Sequence, residues 1–144
     1  MNYCAAEDLT ERLSNDELIQ LTDDADTGVA NQDLVARAIS AAQDVIDGYL
    51  QGRYTVPLVS VPGLIKNITA DLAAYKLFHR RNQMQVNEGR ELMYKTAISQ
   101  LKQIQEGIIL LNITTGETLP PKPLMKTNKT PGDRIFDKHR LNEF

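Results

Sequence analysis

Gln32-Asp33-Leu34-Val35-Ala36-Arg37-Ala38-Ile39-Ser40-Ala41-Ala42-Gln43-Asp44-Val45-Ile46-Asp47-Gly48-Tyr49-Leu50 is the stretch on which the fold turns. Leu34, Ala38, Ala42, Val45 and Tyr49 recur at steps of four and three, the repeat of one helix face. The alanines on that stripe let a second helix approach closely. The spacing predicts a long helix over 32–50, loosening at Gly48 and stopped by Gly52. Asp44 and Asp47, three apart, read as a solvated face, since nothing nearby supplies a partner base. Beyond it, Arg53 to Val61 reads as extended chain, and Pro57 argues against a central strand.

Working outward, Pro62 opens a second long helix, because a first-turn proline loses no hydrogen bond. Leu64, Ile68, Leu72, Tyr75 and Phe78 form its stripe, and His79-Arg80-Arg81-Asn82 ends it with cations suited to the helix dipole. A third long helix spans 88–106, with Met93, Ala97, Leu101 and Ile104 buried and Gly107 as its stop. Toward the N-terminus, Leu9 and Leu13 mark a short helix. Ser14 and Glu17 have the spacing of a capping box that starts another, with Leu18, Ile19 and Leu21 apolar. The fold class expected is all-α: a compact bundle of about five helices, three of them long. Residues 1–113 would form the body. Ile108 to Ile113 reads as a strand or as extended chain covering the core.

From Leu119 to Gly132 there are four prolines and three lysines and little to bury, which predicts an extended C-terminal arm over 114–144. Its tip carries Arg134, Ile135, Phe136, Leu141 and Phe144 as a candidate partner interface.

The chain has 144 residues, enough for one domain. Its apolar runs are far short of the ~20 residues that a membrane helix needs. The start lacks the features of a signal peptide, and the single cysteine cannot form an internal disulfide. Net charge is −3, acidic for a default nucleic-acid binder. The charge is uneven. Residues 1–50 hold 11 acidic and 2 basic side chains, and residues 51–144 hold 8 acidic and 14 basic, or −9 against +6. Unlike poles of this kind suit head-to-tail contact between copies. Asp23, Asp24 and Asp26 form an acidic loop, a candidate channel lining or inter-subunit contact.

Chemistry-bearing patterns are scarce. His79 and His139 have no metal-ligand spacing, and Cys4 reads as a small residue at a helix start. Asp24-x-Asp26-x-Gly28 faintly resembles a calcium loop, but Val35 stands where the bidentate glutamate belongs. Asn67, Asn112 and Asn128 head coincidental sequons. His79-Arg80-Arg81, Arg90 and Lys95 could form a basic patch, with too many acids around them for a DNA reader. No enzyme, metal or cofactor is expected.

Asp47-Gly48-Tyr49-Leu50-Gln51-Gly52-Arg53-Tyr54-Thr55-Val56-Pro57-Leu58 resembles the central motif of a Mu-like bacteriophage and prophage protein family encoded among head-morphogenesis genes. Tyr3 to Leu9, Glu17 to Asp23, Val35 to Ala38, Val61-Pro62 and Phe136 are similar as well. The family is similar to the helical head-tail connector proteins, also called adaptors or head-completion proteins. The resemblance implies a virion neck protein, present in the host cytoplasm during assembly. Its partners would be copies of itself in a ring, typically of twelve, the portal protein, and a tail-side neck or tail-terminator protein. DNA would pass through without sequence-specific binding, and no membrane is involved. Gly48, Gly52, Arg53, Tyr54 and Pro57 are expected to shape the turn between the first two long helices. The alternatives are another phage assembly factor, such as a tail-completion protein, or a small helical DNA-binding regulator.

Overall fold

A computed structural model describes residues 2–81 and 88–113. Among these residues there are five helices and no strand: α1 (Ala6–Leu9), α2 (Asn15–Thr22), α3 (Gln32–Leu50), α4 (Gly63–Arg80) and α5 (Glu88–Glu106). The all-α expectation holds, and the three long helices lie where the periodicity put them. The arm tip, with Arg134, Ile135, Phe136, Leu141 and Phe144, lies outside the described residues.

The helix starts follow local chemistry. At α2 the Ser14 hydroxyl accepts from the Glu17 N–H at 3.3 Å, and a Glu17 carboxylate oxygen accepts from the Ser14 N–H at 3.0 Å. Each group satisfies an amide that the first helical turn leaves unpaired. Asn31 caps α3 by accepting from Asp33 and Leu34. Pro62 is the N-cap of α4, one residue before the first helical position.

α4 is the centre of the bundle. α3 packs along it, α5 contacts both, and the short helices α1 and α2 contact both as well. Because neighbours surround it, α4 buries Ile65, Ile68, Thr69, Ala70, Leu72, Ala73, Ala74, Leu77 and Phe78, much more than one stripe. The alanines permit the close approach, and the buried Thr69 hydroxyl donates to the Ile65 carbonyl at 2.6 Å.

The buried faces are turned from those expected. α3 buries Val35, Ala38, Ile39, Ala42, Ile46 and Leu50, while Leu34, Val45 and Tyr49 sit half-buried at the edge. All four other helices contact α3, α4 most extensively, so its buried arc is set by where they stand. On α5, Ala97, Leu101 and Ile104 are buried, but Met93 is exposed. The segment after α5 is extended chain, not a strand. Leu111 is buried, whereas Ile108 and Leu110 are exposed.

Glycine decides one helix end and not the other. Gly107 has φ +81°, and the N–H groups of Gly107 and Ile108 bond the carbonyls of Ile104 and Gln103, a Schellman stop. A Cβ at Gly107 would also overlap the Arg53 guanidinium. Gly48 is exposed inside α3 and a Cβ there meets open space, as it does at Gly52. Neither residue has a positive φ, so neither holds a backbone conformation that other residues avoid. Gly48→Ala should therefore raise stability by ~0.5–1 kcal/mol. Gly107→Ala should lower it by at least ~1 kcal/mol. Chemical denaturation of both variants checks the pair, and equal effects would contradict the assignment.

Candidate functional site

Two features stand out from the helical frame: the motif after α3 and a seam of ion pairs between the two halves of the chain.

The motif is a clamp. The Tyr3 ring is buried, and its hydroxyl donates to the Asp47 carboxylate while accepting the Leu58 N–H at 2.8 Å. One phenol thus ties the N-terminal segment to the last turn of α3 and to the connection beyond. Burial first, and then the bond to Asp47, push the Tyr3 hydroxyl well above the ordinary tyrosine range. Asp47 is therefore not the solvated helix-face residue that the sequence suggested. On the other side of the motif, buried Tyr54 accepts the Leu111 N–H at 3.0 Å. Arg53 lies over Gly107 at the C-terminal end of α5, where a cation complements the helix dipole. Pro57 follows a cis peptide bond in the same connection. Arg53 and Tyr54 therefore hold the end of α5 against the α3–α4 connection, a longer reach than shaping one turn.

The seam joins the unlike halves within one chain. Lys66 pairs with Asp8 at 2.8 Å, Arg12 with Asp71 at 2.9 Å, and Arg90 with Glu17 at 2.6 Å. The Arg90 guanidinium also lies over the Phe78 ring, 3.6 Å from its centroid. Asp24 receives both nitrogens of Arg80 at 2.7 and 2.8 Å, and Arg81 at 3.1 Å. Arg80 and Arg81 also donate to the Leu21 and Asp23 carbonyls at the end of α2. The acidic pole is thus compensated in part by its own chain. Of the acidic loop, Asp23 folds onto its own backbone, accepting the Thr27 and Gly28 N–H groups at 2.9 and 2.6 Å. Asp26 is exposed, at φ 56°. The basic patch is drawn into the same seam, and Lys95 pairs with Glu91 one turn away on α5. Pairs this exposed are screened by water and contribute little singly; together they link α1 to α4 and α2 to α5.

Asp24 offers a pH test. Bonds from Arg80 and then Arg81 hold its carboxyl down to about 2. An unfolded aspartate titrates near ~3.9. The folded value is the lower, so the link stabilises fully above pH ~4 and is lost as pH falls toward 2. The urea midpoint of Asp24→Asn should lie below that of the native chain at pH 6 and converge with it near pH 2. A gap that is constant across the series would refute the link.

Burial pushes the Cys4 thiol up to about 11, against nucleophilic use. Sequence reasoning missed the pairing of Tyr3 with Asp47 and a cleft beside the Tyr75–Tyr94 stack. An aspartate at the end of an apolar helix was the available signal for the first; the second had none.

Comparisons with known proteins agree with the resemblance in the motif. The family described as Bacteriophage Mu, Gp36 matches residues 3–128, running past the body–arm boundary expected at 113. Gene product J of Escherichia phage Mu is 32% identical over 108 residues, which cover 74% of each chain. Mu-like prophage FluMu protein gp36 of Haemophilus influenzae is 28% identical over 112 residues, covering 78% of this chain and 77% of that one.

Proposed function

Since the chain belongs to the Bacteriophage Mu Gp36 family, we propose that it is a structural protein of the phage neck. In this reading it is a head-tail connector, forming a ring of copies below the portal through which DNA passes. The observation that carries the reading is the family match across residues 3–128; the step from that family to a connector rests on the resemblance drawn from the Asp47–Leu58 motif. The helical body supports it. A core that runs from Tyr3 to Leu111 is braced by a clamp and an ion-pair seam, and it makes a rigid block suited to stacking.

In this reading the arm carries the contacts. Ile135, Phe136, Leu141 and Phe144 are four large apolar residues within the last ten positions. Each would contribute ~1.5–3 kcal/mol if fully buried against a neighbouring subunit, the portal or a tail-side protein, before ordering costs. Arg134 would act at the rim of such a contact. The observations favour this over a DNA-binding regulator, because Arg80, Arg81 and Arg90 are all matched by carboxylates of the same chain. They also reduce what the acidic loop can add as a channel lining, since Asp23 and Asp24 are already engaged.

The test is truncation after Pro131 in the phage or prophage that encodes the protein. The truncated chain should melt within a few degrees of the native one and fail to restore infectious particles. Normal particle yield from the truncated chain would overturn the arm's role.

A further inference from the structure

Beside the stacked rings of Tyr75 and Tyr94, whose centroids are 4.2 Å apart, a cleft of about 490 Å³ opens between α3, α4 and α5. Val45 and the two tyrosines supply apolar wall, and Lys76, His79 and Arg80 line it with nitrogen. His79 extends the stack, 5.9 Å from Tyr75 and 11° from parallel. Arg80 is already matched by Asp24. Lys76 is half-buried and has no ion pair among the described residues. The cleft is large enough for a few side chains, and it suits an aromatic ring that has a carboxylate beside it.

The chain carries that combination twice in its last ten residues, as Phe136-Asp137 and Glu143-Phe144. We propose that residues 135–144 of one copy dock into this cleft on the next copy, an aromatic ring against Tyr75 and Tyr94 and an acid against Lys76. The inference rests on the ring reading above and names the receiving site; the tip that would fill it lies beyond the family match, which ends at residue 128. The 21 residues from 114 to 134 can span up to ~70 Å. A body of this size is roughly 35 Å across by the usual scaling of chain length, so a tip can reach an adjacent copy. Tip into cleft is a heterologous contact, with different surfaces on its two sides, and repeated contacts of that type build a ring when the rotation between neighbours closes and a filament when it does not. Once neighbours are held side by side, each cleft meets a tethered tip at high local concentration.

Full-length chains test it. A labelled peptide of residues 133–144 is titrated into a tip variant, Phe136→Ser with Phe144→Ser, whose cleft is intact. Saturable binding is expected, weakened at least tenfold by adding Lys76→Glu, an exchange on the cleft wall. Tyr94→Ala, checked by its melting curve, should weaken it likewise. Absence of saturation, or indifference to Lys76→Glu, overturns the site. Sedimentation then separates the two possible owners of the tip. The tip variant mixed with the full-length Lys76→Glu chain should associate, while neither does so alone. If the mixture stays monomeric although the peptide binds, the tip occupies its own subunit and the second-copy assignment is overturned. Particle complementation distinguishes the failures: a required tip with a dispensable cleft sinks this proposal and leaves the neck reading standing, whereas two dispensable regions count against both.

Discussion

Leu72→Ala should lower the unfolding free energy by ~2–5 kcal/mol. Leu72 is 1% exposed on α4, the helix against which every other helix packs. Removing its isobutyl group loses the transfer free energy and leaves a cavity that the surrounding helices can fill only partly. Leu72 itself lines the cleft beside Val45, Tyr75 and Tyr94, which gives some room to relax, so the lower half of the range is the better expectation. Leu92 is the matched control. It is on α5 but 65% exposed, and Leu92→Ala should shift stability by no more than ~0.5 kcal/mol. Urea unfolding with an unchanged slope checks both. Similar losses in the two variants would mean that the buried faces are misassigned.

Tyr3→Phe should cost ~1–3 kcal/mol through one oxygen atom. The ring still fills its pocket, so no cavity forms. What is lost is the acceptor for the Leu58 N–H and the donor to Asp47. An amide buried without a partner costs much more than the net gain of an ordinary hydrogen bond. Asp47→Asn should cost less, because an amide oxygen can still accept from Tyr3. Denaturation curves of the two variants in parallel settle the order. A neutral Tyr3→Phe would show that water reaches Leu58 and that the clamp does not hold the connection. Because Tyr3, Asp47 and Leu58 come from three separate parts of the chain, the double variant should cost less than the sum of the single losses.

The two experiments bear on different layers of the molecule. Leu72 reports on the apolar frame, where neighbours are interchangeable so long as volume is kept. Tyr3 reports on a polar lock, where one geometry satisfies all three groups.

Periodicity alone placed α3, α4 and α5, because a helix long enough to bury one side repeats its apolar residues every three to four positions whatever lies opposite. The Ser14 capping box and the Gly107 stop were also legible, since both are chemistry between residues a few positions apart. The motif from Asp47 to Leu58 pointed to the family without any coordinates. What required the tertiary structure was everything that joins distant residues. The core of α3 is centred on Val35, Ile39 and Ile46 because the other four helices pack around it, and no one-dimensional pattern records where neighbours stand. Asp47 looked like a solvated acid until Tyr3, 44 residues away, was seen to cross it. The unlike charges of the two halves, −9 and +6, were plain in the sequence. That Asp8, Glu17 and Asp24 meet Lys66, Arg90, Arg80 and Arg81 within the same chain was not. Local sequence encodes hydrogen bonds and apolar spacing along one element, while ion pairs and buried polar contacts depend on how the elements pack, and only the packed chain sets those distances.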